Sequence, residues 1–166
     1  MKLTARDVMT SPAITARRDL TVRELIQLLR RARITGVPVV DEADRLVGVI
    51  SLTDLVALCG ESREAVGAAE SDFHTSPAMD SMASIDDLLQ PPEEVLDDPI
   101  DQIMSTRAIT APEEASLGRL ADLMITHTIH RVVVVRAEQV VGVVSVRDIL
   151  RGLRDWDRSQ AGGSQG

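Results

Sequence analysis

Apolar residues along this chain fall into two periods, and the two alternate. Val22, Leu25, Ile26, Leu28 and Leu29 share one face of a helix, with Arg23, Arg30, Arg31 and Arg33 on the solvated side. Thr21 and Glu24 stand where a capping box would open that helix, and Gly36 is expected to stop it. Upstream, Thr4 and Asp7 suggest a shorter capped turn through Met9, ended by Pro12, with Ala13-Ile14-Thr15 extended after it. Val37-Pro38-Val39-Val40 and Leu46 to Ile50 flank the polar turn Asp41-Glu42-Ala43-Asp44-Arg45, which predicts a hairpin. A second helix should run from Leu52 to about Cys59. The expected order is strand, helix, strand, strand, helix.

The same order then returns. Met9, Ala13, Ile14, Thr15 and Ala16 match Met104, Ala108, Ile109, Thr110 and Ala111. The apolar helix face reappears as Leu117, Leu120, Ala121, Leu123 and Met124. Ile34, Val37, Val39 and Val40 match Ile129, Val132, Val134 and Val135, and the second hairpin turn is one residue shorter. Self-similarity over about fifty residues marks a duplicated unit. Either copy alone has too little core to be stable, so the copies are expected to pack on each other, sheet to sheet, about a local two-fold axis. The fold class is therefore α+β, with two β-α-β-β-α repeats. The expected bounds are 4–58 for the first repeat, 59–98 for an insert, 99–157 for the second repeat and 158–166 for a disordered tail.

Each repeat ends on one motif. Gly48-Val49-Ile50-Ser51-Leu52-Thr53-Asp54 returns as Gly142-Val143-Val144-Ser145-Val146-Arg147-Asp148. Both read as a buried strand running into a helix start, with a hydroxyl and a carboxylate three residues apart. Two readings are open. A helix N-terminus favours anions such as phosphate, and a carboxylate beside it can accept both hydroxyls of a ribose. Ser followed three residues later by Asp also fits a cap alone.

Composition narrows the choice. The 166 residues are 44% hydrophobic, yet there is no Tyr, one Phe (Phe73) and one Trp (Trp156), so no aromatic platform for stacking bases is at hand. A net charge of −8 also disfavours a nucleic-acid backbone as partner. The single cysteine, Cys59, leaves no intramolecular disulfide and reads as a small core residue. No signal peptide and no membrane-length apolar run is visible, so the expected setting is the cytoplasm, away from the membrane.

The charge is unevenly spread. Residues 60–101 hold twelve acidic side chains against one base, Arg63, which makes that stretch −11 and leaves the rest at +3. Ser71 to Ser84 looks like loop, and Ser84-Ile85-Asp86-Asp87 reads as the cap of a short helix before Pro91-Pro92. Asp98-Pro99 should open the turn into the second repeat. The insert reads as a solvated crossover, or as a flap or partner-binding segment.

The pattern of Gly36-Val37-Pro38-Val39-Val40-Asp41, with Gly-x-x-Ser-x-x-Asp in both copies, resembles a cystathionine-β-synthase (CBS) domain. Two in tandem resemble a Bateman module, over residues 4–58 and 99–153. Ile129-His130-Arg131-Val132-Val133-Val134 is also similar to the nucleotide-binding γ subunit of AMP-activated protein kinase. The resemblance implies two clefts between the repeats and an adenosine-containing ligand: AMP, ADP, ATP or S-adenosylmethionine. It implies that Asp54 and Asp148 hold ribose hydroxyls and that Ser51, Thr53 and Ser145 lie near phosphate. Ile14-Thr15 and Ile109-Thr110 would line the adenine. Gly36-Val37-Pro38 and His130-Arg131-Val132 would form the opposite wall. The chain departs from the family pattern at Arg147, where a hydroxyl residue is usual, at Val133, where Pro is usual, and at Arg131, opposite Gly36. These departures predict that the two sites are unequal, with Arg131 or Arg147 adding affinity for phosphate. The family's habit of pairing modules predicts a homodimer.

Other function classes have less behind them. There is no phosphate-binding Gly-rich loop with Lys, no Gly-x-Ser-x-Gly elbow and no His-Glu-x-x-His. Asp54 and Asp148 sit in separate copies and do not read as an acid/base pair, so no catalytic residue is named and the chain is not expected to be an enzyme. His127 and His130 are three apart without an acidic neighbour, which is thin metal ligation, so no metal is expected. The expected function is an adenine-nucleotide sensor acting on an unidentified regulated protein. The alternative is a protein-interaction module without a nucleotide.

Overall fold

Capping decides where the first long helix starts, and the structure shows how. In the computed structural model, which describes residues 3–58 and 91–161, the carboxylate of Glu24 accepts hydrogen bonds from the Thr21 N–H and hydroxyl, both at 2.9 Å. Helix α2 (Val22–Ala32) follows, with Val22, Leu25, Ile26 and Leu29 buried and Leu28 half-buried. Before it come α1 (Ala5–Val8) and β1 (Ala16–Arg17). After it come β2 (Gly36–Val40), β3 (Leu46–Ser51) and α3 (Leu52–Leu58). The second repeat supplies β4 (Thr110–Pro112), α4 (Leu117–Thr126), β5 (Arg131–Arg136), β6 (Gln139–Ser145) and α5 (Val146–Ala161). The fold is α+β, with two three-stranded sheets ordered β1-β2-β3 and β4-β5-β6. In each, the first pair is parallel and the second a hairpin.

The repeats match in fine detail. Both hairpins carry a register shift at the same place, between Val39 and Val40 and between Val134 and Val135. Pro38 is tolerated inside β2 because β1 pairs only with Val39 and Val40, so no ladder bond is asked of the Pro38 nitrogen on that side. The two-residue turn Ala137-Glu138 has positive φ at both positions, as a tight right-twisted hairpin needs. In the longer first turn the Asp41 carboxylate accepts from the Ala43 and Arg45 N–H groups and pairs with the Arg45 guanidinium.

Several expectations need correction. Gly36 does not stop α2. Arg33, in the left-handed region at φ 53°, ends it, and the Ile34 N–H reaches back to the Leu29 carbonyl at 3.1 Å. Thr128 (φ 54°) and the Ile129 N–H, 2.9 Å from the Met124 carbonyl, do the same in the second repeat. Gly36 instead opens β2. The extended piece begins pairing at Ala16, one residue beyond Ala13-Ile14-Thr15. Pro99 stands just before a 3₁₀ turn, Ile100–Gln102, rather than inside it. Helix α5 runs to Ala161, into the stretch read as a tail. The expectations for Cys59, for the loop Ser71 to Ser84 and for the helix after Ser84 lie outside the described residues. Among the described residues no helix is long and apolar enough to cross a membrane.

The compact units do not follow the repeat boundaries. One unit is Met1–Ala13 together with Ile109–Gly166, and the other is Ile14–Ala108. The leading segment of each repeat therefore packs on the sheet of the other. In the first unit Thr10 bonds Val143 on β6, Ala5 donates to the Ala115 carbonyl at 2.8 Å, and Ala5 is fully buried. In the second, Ser105 bonds Val49 on β3, Ile100 donates to the Leu20 carbonyl at 2.9 Å, and Ile100 is fully buried. Each unit then has its own aliphatic core. One is built on Leu25, Leu29, Ile50, Leu55 and Ile100, the other on Leu117, Leu120, Val132, Val134 and Val144.

Candidate functional site: the strand-to-helix turns

The last residue of each hairpin is a serine, and the helix starts without a loop. Ser51 closes β3, and its N–H and hydroxyl both donate to Asp54 Oδ2, at 2.7 and 2.8 Å. Ser145 closes β6 and donates in the same way to Asp148 Oδ2, at 2.9 and 2.6 Å. Its oxygen also accepts from the Asp148 N–H at 3.2 Å. Both turns are thus capped as the motif suggested. Asp148 is buried and has a further partner, the Arg151 guanidinium, 3.2 Å from Oδ1. Asp54 is half-buried, and Ser51 is fully buried.

The strand entrance is tied to the same turn. Leu52 N–H donates to the Thr35 carbonyl at 2.8 Å, and Val146 N–H donates to the His130 carbonyl at 3.0 Å. Across the ladder Gly36 faces Ser51, and Arg131 faces Ser145. So the hydroxyl, the carboxylate and the strand entrance meet at one place in each unit. Arg131 is half-buried there, and burial pulls its guanidinium below the ordinary value. Arg147 is exposed on the first turn of α5.

The remaining residues divide. Val37 and Val132 are fully buried core residues, and Pro38 is buried in β2, so their main chain rather than their side chains borders the turn. Ile14 is exposed and Thr15 half-buried before β1. Ile109 is half-buried and accepts from the Val133 N–H at 3.1 Å, and Thr110 is exposed at the start of β4. Thr53 is half-buried on the first turn of α3. His130 is exposed, and His127 is the exposed cap residue of α4. Among the described residues no group of three or more His, Cys, Asp or Glu is gathered to hold a metal.

One residue escaped the sequence reading. Thr35 is 6% exposed, and its hydroxyl is buried without a hydrogen-bond partner beside the α3 start. A buried hydroxyl left in that state is costly. Aligning the repeats puts Thr35 where His130 stands, and that was the available signal. The two turns therefore differ: Thr35 and Gly36 in one, His130 and Arg131 in the other.

Comparison with known proteins gives this geometry a setting. An uncharacterized protein of Methanocaldococcus jannaschii, MJ1426, is 26% identical over 152 residues, covering 89% of each chain. An inosine-5'-monophosphate dehydrogenase of Halobacterium salinarum is 29% identical, and the match covers 82% of this chain but 21% of that longer protein. Among solved structures, a putative acetoin utilization protein from Vibrio cholerae superposes with a TM-score of 0.72 at 21% identity, covering 99% of both chains. CBSX2 in complex with AMP gives 0.67 at 20% identity over 93% of this chain and 98% of that one. The CBS domain pair of MJ0100, in complex with 5-methylthioadenosine and S-adenosyl-L-methionine, gives 0.65 at 24% identity with the same coverage. The CBS domain profile itself matches residues 5–61 and 100–155, and the chain belongs to the CBS-domain family, of which it carries two copies.

Proposed function

We propose that this chain is a non-enzymatic regulatory module that binds an adenosine-containing ligand of the AMP, ADP, ATP or S-adenosylmethionine class at its strand-to-helix turns. It would act in the cytoplasm as an energy or metabolite sensor for a regulated protein. The observation that carries the reading is the doubled turn. Ser51 with Asp54, and Ser145 with Asp148, have the same geometry in both units. Each sits beside a strand entrance where a phosphate or ribose would find polar partners. The AMP and S-adenosylmethionine complexes of similar folds set the ligand class to try first.

A thermal-shift titration with AMP, ADP, ATP and S-adenosylmethionine tests it. A ligand at 100 times its Kd adds about 2.7 kcal/mol to the native state. Asp54→Ala and Asp148→Ala should each abolish part of that gain. No shift with any of the four sinks the proposal.

A second reading has its own support. Both carboxylates already cap their helices, and Asp148 is bonded to Arg151 as well. A chain that uses these residues only for its own structure is a protein-interaction module without a nucleotide. Under either reading a homodimer is proposed, because Ile125, Leu150, Leu153 and Trp156 are large apolar side chains left exposed on α4 and α5. Light scattering that returns the monomer mass at micromolar concentration rules the dimer out.

A further inference from the structure

The leading segments of the two repeats are held by the same main-chain bonds and by opposite charges. Leu117 N–H donates to the Leu3 carbonyl, and Val22 N–H donates to the Asp98 carbonyl. Arg6 N–H donates to the Glu113 carbonyl at 2.9 Å, and Asp101 N–H donates to the Arg18 carbonyl at 3.2 Å. Met9 matches Met104, so Arg6 and Asp101 are equivalent positions. Ala16 matches Ala111, so Arg18 and Glu113 are equivalent too.

Their side chains pair across these seams. Arg6 lies 2.7 Å from Glu113, and Arg18 lies 3.1 Å from Asp101. The polarity is reversed. Glu113, whose side chain is 2% exposed, is also held by Arg136, and the residue in the Arg136 position of the first repeat is Asp41. The triplet is basic, acidic, basic in one unit and acidic, basic, acidic in the other.

We propose that this inversion determines which leading segment docks on which repeat. Segment one on its own repeat would set Arg6 against Arg18, and segment two on its own repeat would set Asp101 against Glu113. Like charges at a partly buried seam oppose that pairing. The main-chain bonds cannot make the distinction, because they are the same in both units. Chain length does not make it either. Thr10 to Ala16 can span about 20 Å when extended, and strands of a sheet lie about 4.8 Å apart, so segment one could reach across its own sheet. The inverted charges therefore set like against like in a pairing that the repeat symmetry otherwise allows.

The test uses the full chain and nuclear Overhauser contacts of the Thr10 amide. Exchanged docking gives a Thr10–Val143 contact, and own-repeat docking gives Thr10–Val49. The double reversal Arg6→Asp with Asp101→Arg makes exchanged docking mismatched at both seams and own-repeat docking matched at both. It is expected to weaken or lose the Val143 contact and gain the Val49 contact. Retention of the Val143 contact alone overturns the proposal. If that variant does not fold, Arg18→Asp with Asp101→Arg decides. It keeps opposite charges in either pairing, so two sets of Thr10 signals are expected. A single set with the Val143 contact overturns the proposal.

Discussion

Thr10 and Val143 exchange two main-chain hydrogen bonds, 3.0 and 3.2 Å long, and that bridge seats Met9 against Gly142. A Cβ built on Gly142 would lie 2.5 Å from Met9 Sδ and 3.0 Å from the Thr10 carbonyl. A Cβ on Gly48, its counterpart, would meet the Ser105 carbonyl at 2.6 Å. The first obstacle is the end of a flexible side chain and the second is main chain. Both alanine variants should lose about 1–3 kcal/mol, with Gly48→Ala the worse. Urea unfolding midpoints check the order, and a larger loss at Gly142 contradicts it.

The exchanged segments should carry stability out of proportion to their length. Ile100 comes from the leading segment of the second repeat yet is fully buried in the core of the first sheet. Ile100→Ala should cost about 2–5 kcal/mol. Ala5, at the matching place, leaves no large side chain to remove. A loss under 1 kcal/mol at Ile100, read from thermal or urea unfolding, would mean that the segment is not integral to that core.

Arg33 and Thr128 end their helices in the left-handed region, at φ 53° and 54°. A side chain there costs about 1–2 kcal/mol relative to right-handed backbone, while Gly is free of that cost but loses more entropy on folding. Arg33→Gly and Thr128→Gly should each raise stability by up to about 1 kcal/mol. The β-branched Thr128 should gain more. Destabilisation in both variants would show that the side chains contribute more than the backbone costs.

Acid should weaken the fold in part through Glu113. Hydrogen bonds from Arg136 and then from Arg6 hold its carboxyl down at about 2, against an ordinary value of 4.5. A carboxyl lowered in the folded state contributes stability that is fully present above the unfolded value and lost as pH falls through the folded one. The contribution should therefore fade between about pH 5 and 2. Hydrogen bonds from Thr4 to Asp7, and from Thr21 to Glu24, lower those carboxyls too and add to the same slope. Glu113→Gln should flatten the pH dependence of the urea midpoint in that window. An unchanged slope argues that the carboxylate is not ionised by its arginines in the way described.

Much of this architecture was legible in the residues alone, and the exceptions share a cause. Thr21 with Glu24 announced its helix because a capping box is a local device read from four residues. The alternation around Asp41 to Arg45 announced a hairpin for the same reason. Arg33 was unreadable as a helix end because it carries no glycine, and Gly36 drew the assignment three residues too far. The exchange of leading segments was hidden because a repeated sequence says that Met9 and Met104 are equivalent, and nothing about which sheet each one reaches. At the candidate site the Ser-Asp pairs were visible from spacing. Thr35 was not, since a lone threonine before a strand has no pattern until its burial is known.

The exchange also orders events on the ribosome. Chains emerge from the N-terminus, and the unit spanning Ile14–Ala108 has all of its parts once Ala108 is made. Met1–Ala13 is synthesised before it, but β6, the strand that Thr10 bonds, is added only later. Residues 1–13 are therefore made ahead of the unit that follows them in sequence and find their place after it.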